Sequence, residues 1–378
     1  MQIKKQSAGV LIALINIGLG GDVAAWHGVE AVIRTAPSVN DMWREVFRLA
    51  AKHGVVAIAW DGVERIASEG LIAPELMPDR TLRLQWAVSV DNISKRYRKH
   101  EALIGKLAAF YHEHDIRLML LKGYGMSLNY PTPEHRECGD IDIWQFGEQK
   151  RADQLLRDIK GVKIDEDVHH HTTFVINGVL IENHFDFINV HAHTSNKLIE
   201  RELQRYAREE EPATIVVNGA TVYLPSPNLN ALFLLKHAAS HFAAVELIFR
   251  QVLDWVLFVK HHHEAIDWPW LYNFSKQMNM HRFLNCLNAI AIDHFGLDAS
   301  TLPPFERDRA LEERVLNDII EPEFNETSPR GNILRSLIFK FRRWWANRWK
   351  HRLVHREGLL HTFVVQVYSH LLKPKTLR

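Results

Sequence analysis

Asp140-Ile141-Asp142-Ile143-Trp144 is the stretch on which the reading of this chain turns. Strict alternation of acidic and apolar residues is the pattern of a half-buried β-strand, whose side chains point to opposite faces by turns. Asp140 and Asp142 therefore share one face, and Ile141 and Ile143 share the other, toward a core. Two carboxylates side by side repel, and burying one is costly unless a cation compensates. A hard divalent ion with oxygen ligands, Mg²⁺ above all, is the natural compensation. A solvated strand edge with ordinary surface acids would alternate in the same way.

The surroundings favour the metal. Upstream, Ile116-Arg117-Leu118-Met119-Leu120-Leu121 is an apolar run of strand length that ends at Lys122-Gly123. A short helix is expected from there to about Asn129, followed by a loop from Tyr130 to Gly139. Glycine at 123 lets backbone approach a phosphate closely, and the first N–H groups of a helix point at an anion. Downstream, Glu148 to Ile159 reads as a helix. Thr172–Ile176 and Val179–Phe187 read as strands joined by Asn177-Gly178, a strong hairpin signal. Glu182, His184 and Asp186 share one face of the second strand, which offers a third carboxylate to the first two. Such a trio can hold the metals that activate an attacking hydroxyl and stabilise a departing pyrophosphate.

Leu120-Leu121-Lys122-Gly123, Tyr130-Pro131, Arg136 and Asp140-Ile141-Asp142-Ile143 together resemble a bacterial family of uncharacterised nucleotidyltransferases in the polymerase-β nucleotidyltransferase superfamily. Ile181-Glu182-Asn183-His184-Phe185 is similar to that family's third acidic strand. His237, His241, Arg250 and Asp254 are similar to a helical H…H…R…D pattern in it. The resemblance implies that Asp140, Asp142 and Glu182 ligate Mg²⁺ or Mn²⁺ and that Gly123 opens a phosphate-binding turn. It further implies transfer of a nucleoside monophosphate from Mg·NTP to a hydroxyl-bearing acceptor, whether small molecule, protein or RNA. Where the superfamily usually has Gly-Gly or Gly-Ser this chain has Gly123-Tyr124, so Ser127, one turn later, is the candidate phosphate hydroxyl. A catalytically silent protein that keeps the fold to bind a nucleotide or a partner is the alternative.

Supporting residues carry two readings each. Lys122 can neutralise a phosphate or simply end a strand. Arg136 can steer a triphosphate or pair with Asp140 or Glu137. His184 can serve the metal or act as a base, or it can be a structural histidine. Arg250 and Asp254 are spaced for an i,i+4 ion pair.

The fold expected is α+β, a small mixed-sheet core over residues 113–225. It is flanked by a helical region over 1–112 and a helical domain over 226–378. Val39 to Gly54 reads as a helix opened by Ser38 or Asn40, and long-period spacing predicts another from Thr81 to Glu113. After Pro225 and Pro227 the helical period returns, over 229–260 and again over 268–295. A net charge of +1 on 378 residues excludes a general nucleic-acid binder, so any such contact needs a local patch. Residues 330–356 are the candidate, with nine Lys or Arg, no acid and five Phe or Trp. Such a segment can contact nucleic acid or lipid, or can pack its aromatics inside. Two cysteines, Cys138 and Cys286, exclude a disulfide framework. The runs His169–His171 and His261–His263 lack a second ligand group at a familiar spacing. Lys4 and Lys5 before an apolar stretch mimic a secretory signal, but the stretch is expected to be a buried helix and the protein cytoplasmic.

Overall fold

The structure, a computed structural model, describes residues 2–166, 170–244, 246–326, 333–359 and 361. Five helices come first: α1 Gln2–Gly18, α2 His27–Arg34, α3 Val39–His53, α4 Val56–Ser68 and α5 Arg80–His112. The central part holds β1 Met119–Leu120, α6 Tyr124–Ser127, β2 Ile141–Trp144, α7 Gln149–Lys160, β3 Ile164–Asp165, β4 His171–Ile176, β5 Val179–His184, α8 Asn196–Glu209, β6 Ala213–Val217 and β7 Ala220–Leu224. Helices resume with α9 Pro227–Ala244, α10 Phe249–His262, α11 Trp268–Gln277, α12 His281–Phe295, α13 Arg309–Ile320, α14 Ile333–Ala346 and α15 Arg348–Val354. No helix among the described residues is long and apolar enough to cross a membrane.

Local chemistry sets several boundaries. Ser38 caps α3 by accepting from the Asp41 amide, and Gly54 ends it in the left-handed conformation. Asn177-Gly178 turns the β4–β5 hairpin, with both residues at positive φ. Asn218-Gly219 turns a second hairpin, β6–β7, in the same way.

The seven strands form one mixed sheet in the order β3-β4-β5-β2-β1-β7-β6. β2 lies near its middle, antiparallel to β1 and parallel to β5. One face packs Leu120, Ile141, Ile143 and Ile181 against α5 and α7, through Leu103, Leu107, Tyr111 and Leu156. The opposite face, with Met119, Leu121 and Trp144, joins a larger core that includes α9, α10, α12 and the N-terminal helices. Strand alternation thus sends the isoleucines of β2 to one side and leaves Asp142 facing the other. The N-terminal apolar stretch is the buried helix α1, with Val10, Leu11, Leu14, Ile15 and Ile17 inside.

The basic segment divides. Lys350 is fully buried in an ion pair with Asp318, and Leu353 and Val354 belong to the core, so α15 is structural. On α14 the large side chains of Ile338, Phe341 and Trp345 are exposed instead.

Candidate metal and nucleotide site

Register builds the site. β2 and β5 pair so that Asp142 stands opposite Glu182 and Trp144 opposite His184. One ligand atom each from Asp142, Glu182 and His184 lies within 4.8 Å of the others. Asp140 sits one residue ahead of β2 and is half-buried. Burial, and next the Asp142 carboxylate, raise its carboxyl pKa; Glu182 adds to this.

Lys122 and His184 answer part of this negative charge. Lys122 Nζ lies 2.8 Å from Asp142 Oδ1, and His184 Nε2 lies 3.1 Å from the same oxygen. Burial alone would raise the Asp142 carboxyl, but Lys122 and His184 outweigh it and hold it well below the usual carboxylate range. In return, Asp142 leads the groups that raise Lys122 and His184 against their own burial. His184 Nε2 also lies 3.7 Å from Glu182 Oε2. Three acids thus face two cationic groups, and the lysine ammonium stands where a metal would relieve the same repulsion. Asp142, Glu182 and His184 form a group that could hold a metal ion, and the two carboxylates in it suit Mg²⁺ or Mn²⁺, while Asp140 is not part of that group.

Gly123 adopts φ 55° and ψ −111°, and a Cβ there would meet the Asp140 carbonyl oxygen at 3.4 Å. The glycine therefore sets the turn directly beside the acids. The helix after it, α6, is a single turn that stops at Ser127, shorter than expected, so it adds little dipole for an anion.

Two expected phosphate contacts are engaged by protein partners instead. Ser127 is fully buried, gives its hydroxyl to the Tyr124 carbonyl at 2.6 Å and meets the Tyr97 hydroxyl at 3.2 Å. It does not line the cleft, because the short helix turns it into the α5 interface. Arg136 lines the cleft, but its fork is taken: Nε and Nη2 reach Asp254 Oδ1 and Oδ2 at 2.8 and 2.7 Å. Tyr130 donates to Asp254 Oδ1 at 2.9 Å, and Arg250 donates to the Glu137 carbonyl at 2.9 Å. Arg250 and Asp254 are therefore not each other's partners. Both reach across to fix the loop that leads into β2.

The cleft has a volume of ≈ 620 Å³, a size that suits a nucleotide-sized ligand. Lys122, Gly123, Asp140, Asp142, Glu182 and His184 line one wall, and His237, His241, Arg250 and Gln251 come from α9 and α10. His170 also lines it, and with His171 and His184 forms another group of ligand atoms within 4.8 Å. Burial, then His184, pushes His170 down to about 2 and His171 to about 4, so both imidazoles are neutral. The sequence offered the histidine run without a partner; pairing of β4 with β5, His171 opposite His184, supplies one. His169 lies outside the described residues. His261 and His262 instead meet Asn129 at 3.1 and 3.2 Å.

Comparison with known proteins gives a family. No curated protein matches the chain. A solved structure, an antigenic nucleotidyltransferase-like protein from Paracoccidioides brasiliensis, is similar over 42% of this chain and 74% of its own, with 16% identity and a TM-score of 0.31. The family described as "Uncharacterised nucleotidyltransferase" matches residues 40–296, well over half of the sequence and all of the sheet. The chain belongs to this uncharacterised nucleotidyltransferase family.

Proposed function

We propose that the protein transfers a nucleoside monophosphate from a metal-bound NTP to a hydroxyl-bearing acceptor. The observation that carries this reading is the in-register pairing of Asp142 with Glu182, beside Asp140 and a glycine turn, in one cleft. In the reaction the acceptor hydroxyl gives up its proton to solvent and its oxygen attacks the α-phosphorus. The bond from that phosphorus to its bridging oxygen breaks, and pyrophosphate leaves with the electron pair. A divalent metal bound by Asp140, Asp142 and Glu182 would supply Lewis acidity at the phosphate and a lower pKa at the acceptor hydroxyl.

The chain's own residues do the rest. His184 bridges Asp142 and Glu182 and holds both carboxylates in place. Lys122 shares Asp142 in the resting site and is placed to neutralise phosphate charge once a metal takes that carboxylate. Gly123 lets the backbone approach the triphosphate. Arg136, held by Asp254, keeps the loop before β2 in position. We place the reaction in the cytoplasm, the compartment that holds nucleoside triphosphates.

One observation favours a catalytically silent binder. Tyr124, where the superfamily usually has a small residue, stacks on Tyr97 and donates to Glu101 at 2.8 Å. Calorimetric titration with Mg·NTP, followed by assay of pyrophosphate release, separates the readings. Wild type should bind, and Asp140→Asn/Asp142→Asn should not; equal binding by the two proteins would end the proposal. Binding without pyrophosphate release across hydroxyl acceptors would favour the silent form.

A further inference from the structure

The cleft carries a second group of ligating side chains that nucleotidyl transfer does not use. His193 lies between β5 and α8, His351 on α15 and His355 just after it, and all three line the cleft. They are 5%, 4% and 4% exposed. The rings of His193 and His355 stack at 3.6 Å, and His351 lies 5.5 Å from His355. Nδ1 of each of the three is buried with no hydrogen-bond partner. A buried polar atom without a partner is costly, and two of these three histidines, His193 and His355, share a ligand-atom group that an ion could fill. Glu357 stands beside them: one oxygen of it and one nitrogen each from His193 and His355 lie within 4.8 Å of one another. Its carboxylate is held in place by Thr194 Oγ1 at 2.7 Å, by Ser195 Oγ at 3.0 Å and by the Ser195 amide.

We propose that His193, His355 and Glu357 bind a transition-metal ion of the Zn²⁺ class, with His351 beside them, and so tie the segment after α15 to the cleft wall. Two imidazoles and one carboxylate form a donor set suited to Zn²⁺, whereas Mg²⁺ takes oxygen ligands. The ion would join residues from two distant parts of the chain, 193 and 355–357, and so stabilise the fold by closing a long loop.

The test uses the full chain, stripped of metal with a chelator and titrated with Co²⁺, then Zn²⁺. Wild type should take up a Co²⁺ equivalent with a visible d–d band that Zn²⁺ displaces, and Zn²⁺ should raise its Tm. His193→Gln/His355→Gln, with its fold checked by circular dichroism, should bind that equivalent about a hundredfold more weakly or not at all. Asp142→Asn/Glu182→Gln should keep it, which separates this site from the one proposed for nucleotidyl transfer. Absence of the band in wild type, or unchanged uptake by His193→Gln/His355→Gln, would overturn the proposal.

Discussion

Asp254 is buried and accepts from both Arg136 nitrogens and from Tyr130. An exposed i,i+4 pair with Arg250 would be worth about 0.3–0.5 kcal/mol. Removing one partner of a buried, forked pair costs about 3–5 kcal/mol, because the other charge is left uncompensated. Asp254→Asn should therefore lower the free energy of unfolding by that larger amount in urea titration; a loss below about 1 kcal/mol would contradict the buried geometry. Spacing made the Arg250–Asp254 pair legible in sequence and made it wrong, since a planar guanidinium from a distant loop matches the carboxylate better. Glu200 supplies a pH test. Burial pushes its carboxyl from an ordinary 4.5 up to about 7, although the Phe187 and Ile188 amides donate to it. Between those values the folded protein holds the proton more tightly than the unfolded chain. Its contribution to stability is thus full below 4.5 and lost as the pH rises through 7. Glu200→Gln should flatten the decline in urea midpoint across this window, and an unchanged slope would rule the group out.

Elements reveal what pattern can and cannot convey. α1 and α4 meet backbone to backbone: a Cβ on Gly62 would lie 2.2 Å from the Leu14 carbonyl oxygen, and one on Gly18 2.1 Å from that of Ile58. Both neighbours are backbone and cannot yield cheaply. Gly62→Ala should cost about 1–3 kcal/mol by forcing the helices apart, measurable as a lowered Tm, whereas Gly28→Ala, in open space, should not. The alternation in β2 and the Asn177-Gly178 turn were legible because a period of two and a type I′ turn each constrain few alternatives. Asn218-Gly219 carried the same signal. Its flanking strands expose residues such as Val216, so no clear apolar face marked them. The basic segment was open between surface and core for a related reason. Lys350 reads as solvated in sequence, yet Asp318 neutralises it inside. Deleting residues 348–361 should accordingly lower Tm by exposing the core under α15; an unchanged Tm would contradict its burial.

At the scale of the whole molecule, the central sheet presents its acids to a cleft that α9 and α10 close from the far side. That Asp140 and Asp142 share a side, and Glu182 and His184 another strand's face, was readable because strand geometry fixes which side chains alternate; that β2 and β5 become neighbours was not. The contribution of His170 and His171 was not, because it depends on which strands become neighbours. Ser127 failed as a phosphate contact for the same kind of reason: helix length, not composition, decides where its hydroxyl points. The proposed reaction requires a cation that relieves the repulsion among Asp140, Asp142 and Glu182. Mn²⁺ uptake in the presence of a non-hydrolysable NTP, followed by electron paramagnetic resonance, probes that directly. Wild type should bind Mn²⁺ together with the nucleotide, and Asp142→Asn/Glu182→Gln should bind it at least about a hundredfold more weakly. Equal Mn²⁺ uptake by the two proteins would contradict it.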